Sequence, residues 1–403
     1  MRFACSVSDE GNAERAVDEL LGPIDSRVTP GMVDLVLLHA TAHFDDELPA
    51  VLHRLGETFA GAVLLGCTAE GTIGAGRELE RVPSMSLLVG TLPDVTVRPF
   101  YLQQPELKAN RTTADWERTV GASPEAAPVF IALADPFRFA VHDFVERINE
   151  AYVGAPLVGG VASAAAMPGQ NRLLLNGEIY TDGLVGVALT GRLRVDTVVS
   201  QGCRPVGQPY VITRGERNII LDLGGKAPLE QLQHLLGGLS EDDARLARES
   251  LLIGRVIDEY RDRFARGDFL IHNILGVDKK SGAMAIAGQV RVGSTVQFHV
   301  RDADSADEDL RSLLARHSGG DHRGAMLFGC NGRGTRMWKT PGHDVGVLRE
   351  ALGDLPVAGF FCGGEFGPVG GRNFVHGFTA SIALLGPADD TKAATHGTPA
   401  AEG

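Results

Sequence analysis

Three segments of this chain repeat one plan, and that plan limits the folds open to it: a short apolar run, a stretch of helical spacing, then a second apolar run. The first goes from VLLHA (36–40) through Leu48, Val51, Leu52 and Leu55 to AVLLGCTAEG (62–71). The second goes from VFIALAD (129–135) through Val141, Phe144, Val145 and Ile148 to PLVGGVAS (156–163). The third goes from AMLFGCNGRG (325–334) through Val345, Leu348 and Leu352 to VAGFFCGGEFGP (357–368). Runs this short and continuous suit strands buried on both faces. Each unit therefore reads as strand–helix–strand, a βαβ crossover. The second run of each unit ends among small residues, which either let a backbone approach a ligand or let a helix pack closely.

Segments of a different kind lie between the units. SMSLLVGTL (84–92), VTVRPFYL (95–102), RLLLNGEIYTDGLVGVAL (172–189) and LRVDTVVSQG (193–202) read as antiparallel strands, with Asn176-Gly177 and Asp182-Gly183 as tight turns. Beyond a boundary near 210–225, helices are expected over Ala227–Leu236 and from Glu241 to about Tyr260. Strands follow at 269–278 and 295–303, then a helix opened by a Ser305/Glu308 capping box, and a last strand over 373–386. At 403 residues the chain exceeds what one core usually supports. The expected class is α/β, in two domains with mixed sheets flanked by helices. The divisions are an N-terminal extension at 1–30, domains at 31–220 and 221–386, and a disordered tail at 387–403.

Net charge is −13, a field that repels phosphate backbones, and no basic patch offsets it, so nucleic acid is not an expected partner. No apolar run reaches the length of a membrane span, and the start, Met1-Arg2-Phe3-Ala4-Cys5, lacks a signal-peptide stretch. A cytoplasmic location is expected. The five cysteines are odd in number and widely spaced, against a disulfide framework, and no zinc-ligand spacing is present. GTIGAG (71–76) has the wrong spacing for a dinucleotide fingerprint, and neither a Walker A sequence nor a nucleophile elbow occurs. No cofactor and no metal are expected.

Several blocks, in order, resemble the FIST family. GCTAEGTIG (66–74), PLVGGVAS and QGCRPVG (201–207) are similar to blocks of its N-terminal domain. FLIHNILGVDKKSG (269–282), VRVGSTVQFHVRDA (290–303), LFGCNGRG (327–334) and GFFCGGEFGPVGGRNFVHGFTASIAL (359–384) are similar to blocks of its C-terminal domain. His272 departs from the pattern, in which arginine is more usual, and this puts ligand preference in question. The resemblance implies a sensory module that binds a small molecule, an amino acid or related metabolite. With no room for an output domain, such a chain is expected to signal through a separate partner protein or to act by ligand binding alone. Two rival readings are a cysteine-dependent enzyme acting on a small metabolite and an interaction scaffold without a small ligand.

Candidate ligand contacts follow from residue chemistry. Cys67, Cys330 and Cys362 close apolar runs among glycines, where ligands bind at the carboxyl edge of open α/β sheets, although cysteine also serves as a small buried residue. Arg333 offers a fork for a carboxylate or phosphate, and Glu365 a charge for an amino group; with a carboxylate on the fork, the pair meets the needs of a zwitterion. The structural alternative for Arg333 is a salt bridge, for instance to Glu365. Thr68, Gly160, Arg204, Asn331 and His376 complete the candidate set. None is assigned a catalytic role.

Overall fold

The computed structural model describes residues 1–388 apart from Asp262. Its centre is three six-stranded sheets, each built on one parallel pair whose strands are joined through a helix. Leu35–Thr41 pairs with Val63–Ala69 across helix Leu48–Thr58. Val129–Ala134 pairs with Leu157–Val161 across Val141–Ala151, and Gly324–Cys330 with Val357–Cys362 across His343–Leu352. An antiparallel strand flanks each pair: Met85–Thr91, Leu184–Gly191 and Thr379–Pro387 respectively. The sheets are therefore mixed and the class is α/β.

The hairpin that follows each parallel pair leaves its own sheet for another one. Gly71–Gly74 with Arg77–Glu80 joins the third sheet beside Val357–Cys362. Leu173–Leu175 with Glu178–Tyr180 joins the first, and Glu365–Val369 with Arg372–His376 joins the second. This cyclic exchange ties the sheets into one body. Their inner faces meet in a single apolar core that includes Leu37, Leu65 and Cys67, Ile131 and Val158, and Phe328, Phe360 and Cys362. Helices bury the outer faces. Burial on both sides is why the strand sequences are continuously apolar rather than alternating.

One glycine in each unit has the same steric cause. A Cβ on Gly66, Gly159 or Gly359 would lie 2.1, 2.0 or 1.8 Å from the carbonyl oxygen of Leu38, Ala132 or Leu327 on the parallel partner strand. These glycines admit a neighbouring backbone.

Between Leu193–Gln201, which pairs with Thr379–Pro387, and helix Ala303–Ala315 the chain forms a separate closed barrel. Its strands are Cys203–Glu216, Ile219–Leu223, Leu251–Val256, Phe269–Val277, Met284–Ile286 and Thr295–Arg301. Position 220 lies within one of them, and residues 1–30 supply strand Arg2–Ser8 and helix Ala13–Asp25 of the first sheet's unit. A small apolar cluster with Cys203, Phe269, Cys330 and Phe378 joins barrel to body.

Three local expectations are corrected. The helix begun at Glu241 ends at Glu249, because Leu251–Val256 is claimed by strand pairing on both sides. The helix after 301 is capped by Asp302, whose carboxylate accepts from the Ser305 amide, so Ser305 lies inside the first turn. The last strand is two, Arg372–His376 and Thr379–Pro387, broken where Phe378 takes a φ of 61°. Beyond Ala388 the tail expected to be disordered lies outside the described residues. Among the described residues no helix is long and apolar enough to cross a membrane.

Candidate functional site

The third parallel pair brings several sequence-selected residues together inside the body. Cys330 and Cys362 are register partners at the ends of adjacent strands. Gly160 pairs with Glu365, and a Cβ at Gly160 would sit 2.5 Å from Cys362 Sγ, so this glycine makes room for the thiol. Glu365 is fully buried; its Oε2 accepts from the Thr379 hydroxyl at 2.8 Å and amide at 3.2 Å. Its Oε1 has no hydrogen-bond partner. Burial pushes the carboxyl up to about 8, although Thr379 and Arg333 pull the other way.

Arg333 is shut off from solvent and spends its fork on Asp344, with Nε–Oδ2 at 2.5 Å and Nη2–Oδ1 at 2.8 Å. Burial alone would raise the Asp344 carboxyl, but Arg333 and His343 bring it down to about 2. Arg333 is thus in a structural ion pair, with Asp344 and not Glu365 as its partner. Only its Nη1 is left without a bond.

The remaining candidates are engaged locally. Thr68 Oγ1 accepts from the Arg172 amide at 2.9 Å, and His376 Nε2 donates to the Gly367 carbonyl at 2.9 Å. Burial holds the His376 ring neutral, lowering its pKa to about 4. Arg204 is ion-paired to both Asp243 and Asp302. The Asn331 amide donates to the Cys362 carbonyl at 2.9 Å. All five cysteines are free and buried. Burial raises the thiol pKa of Cys67 and Cys362, and lifts Cys203 and Cys330 to about 12, the opposite of what activates a nucleophile.

A roomier site lies elsewhere. A cleft of about 760 Å³ follows the seam between the barrel and the second sheet's unit. Helix Val141–Ala151 contributes His142, Asp143 and Glu146 to one wall, and the hairpin strand Arg372–His376 adds Phe374. The barrel contributes Arg217, Arg255, His272 and Arg291. Arg255 and His272 sit on adjacent antiparallel strands; Ile253 pairs with His272, and Leu270 with Arg255. They are diagonal neighbours on one face, roughly 7–8 Å apart at Cα.

Polarity in this cleft is unresolved within the protein. The Arg255 Nε is buried without a hydrogen-bond partner, and no carboxylate among the described residues forms an ion pair with it. Burial lowers the Arg255 pKa, and the nearby Arg291 charge adds to this. The Glu146 and Glu259 charges oppose this shift, but Glu146 is already held by Arg372 and lies 3.9 Å from Arg291. His272 Nδ1 faces the Ala287 carbonyl at 3.2 Å; a carbonyl only accepts, so Nδ1 carries the hydrogen. Burial, with Arg255 and His142 nearby, lowers this ring to about 4 and keeps it neutral. Its Nε2 is then a buried acceptor with no donor. Gly288 permits the ring's position, since a Cβ there would lie 2.7 Å from it.

Of these residues sequence reasoning singled out His272 alone. Arg255 carried a signal, an arginine inside the apolar run Leu251–Val256, that went unused. It also missed Asp196, His317 and His322, which bring one ligand atom each to within 4.8 Å of one another. There His322 Nε2 bonds Asp196 at 2.9 Å and Arg194 lies 3.2 Å from the same oxygen, while His322 Nδ1 is buried without a hydrogen-bond partner.

Comparison with known proteins bears on the whole chain. Solved structures of cyanuric acid hydrolase cover 96% of this chain and 100% of theirs at 9% identity, with TM-scores of 0.33 and, for the A. caulinodans enzyme, 0.36. A likeness so slight says nothing about chemistry. An uncharacterized protein of Mycobacterium tuberculosis (strain ATCC 25618 / H37Rv) is 37% identical over 388 residues, 96% of this chain and 100% of that protein. Another, of Mycobacterium bovis (strain ATCC BAA-935 / AF2122/97), is 38% identical over 394 residues, 96% and 99% of the two chains. The FIST N domain matches residues 34–226 and the FIST C domain residues 228–368. The chain therefore belongs to the FIST family, whose domains are sensory domains of signal transduction.

Proposed function

We propose that this protein is a sensor that binds a small metabolite in the cleft between barrel and body and passes the bound state to a separate signalling protein. One observation carries the reading: the unpartnered Arg255 Nε beside the unpartnered His272 Nε2, in a cleft of about 760 Å³. Buried polar groups are nearly always bonded, so two orphans facing one cavity mark the place of a missing partner. The volume lies within the range of small-molecule sites, and such sites favour seams between structural units. Five free cysteines fit a reducing compartment, which supports a cytoplasmic location.

The Arg333–Glu365 pairing is less favoured as a ligand site, since Asp344 occupies the guanidinium fork and both side chains are fully buried. Thermal denaturation against a metabolite library tests the proposal. A true ligand raises the transition in proportion to the logarithm of its concentration, and the rise disappears in Arg255→Gln. No stabilisation by any compound would favour the scaffold reading instead.

A further inference from the structure

The chemistry of the cleft narrows its ligand, given that the proposed site is correct. In a chain of net charge −13, this cavity is lined by Arg217, Arg255 and Arg291 against Asp143 and Glu146. Glu146 is shared between Arg372 and Arg291, and it and Glu259 act on Arg255 only through space, which leaves the buried Arg255 Nε without a hydrogen-bond partner. A planar guanidinium in partly desolvated surroundings matches an oxyanion in geometry and in charge. His272 adds a second requirement. Its Nδ1 hydrogen goes to the Ala287 carbonyl, so its Nε2 offers a lone pair and asks for a donor.

We infer that the cleft takes a small molecule bearing an oxyanion, carboxylate or phosphate, on Arg255, with a neighbouring hydroxyl or amine that donates to His272 Nε2. The donor and the oxyanion are separated by the diagonal spacing of the two strands, which fits one compact metabolite. Neutral apolar molecules leave both orphans unpaired and are rejected on that account.

The test titrates the full-length protein, at constant ionic strength, with L-malate, succinate, inorganic phosphate and the neutral diamide succinamide. Backbone amide shifts at Arg255, His272 and Gly288 are the readout. At least one anion shifts these amides; preference for malate or for phosphate tells a carboxylate ligand from a phosphate one. Arg255→Gln weakens that binding roughly tenfold or more, and Arg255→Lys, which keeps the charge but not the fork, falls between. His272→Phe removes any advantage of malate over succinate. Succinamide binding as well as succinate, or anions binding Arg255→Gln unchanged, overturns the inference while leaving the cleft a ligand site. If neither the anions nor a mixture of neutral metabolites moves these amides, the cleft reading fails with it.

Discussion

Replacing Glu365 with glutamine isolates the most perturbed acid in the body. The folded protein holds this carboxyl at about 8, against an ordinary value of 4.5, because burial penalises the charge. Between those values the native state keeps a proton that the unfolded chain has released. The contribution of Glu365 to stability is therefore complete below pH 4.5 and declines as pH rises through 8. The decline is about 1.4 kcal/mol per pH unit, on the order of 5 kcal/mol across the window. Glutamine cannot ionise, and its oxygen still accepts from Thr379 while its amide takes the place of the protonated Oε1. Buried His39, His299 and His376, lowered to about 3, 4 and 4, titrate with the opposite sign and are common to both proteins. The assay is urea unfolding at pH steps from 4 to 9. The stability difference, variant minus wild type, should climb over this window and flatten at either end. A difference independent of pH would refute the reasoning, and would mean that the free Nη1 of Arg333 keeps Glu365 ionised.

Other outcomes follow from the same geometry. Gly359→Ala drives a Cβ to within 1.8 Å of the Leu327 carbonyl and should cost about 3 kcal/mol or prevent folding. Gly346→Ala, on a helix with nothing within 4 Å, should stabilise by about 0.5–1 kcal/mol, and denaturation curves compare the two. Arg333→Ala strands buried Asp344 and should cost about 3–5 kcal/mol by the same measurement. A thiol reagent at pH 8 should label no cysteine in the native protein and all five after unfolding, since each is buried. One rapidly labelled cysteine would revive the enzyme reading.

The three crossovers were visible in the sequence because strands buried on both faces are continuously apolar, a signal confined to a few adjacent residues. The hairpin exchange was not, since pairing Gly71–Gly74 with Val357–Cys362 spans most of the chain and leaves no local mark. The glycines at the strand ends were read as admitting a ligand or a helix, whereas Gly66, Gly159 and Gly359 admit a neighbouring strand. The Glu241–Tyr260 stretch misled because helical spacing and a short barrel strand look alike when Leu251, Leu252 and Ile253 stand in a row. For Arg333 the sequence left a ligand and a structural salt bridge both open, and the structure shows a salt bridge. Its partner, Asp344 at the start of the next helix, depended on packing. The cleft gathers residues from 142 to 375, so its chemistry emerges only when barrel meets body.

The most direct measurement is a crystal structure of the protein grown with the compound that stabilises it most. Ligand density is expected in the cleft, with an oxyanion on Arg255 and a donor on His272 Nε2. Density inside the body at Arg333 and Glu365, with the Asp344 ion pair broken and the cleft empty, would contradict it.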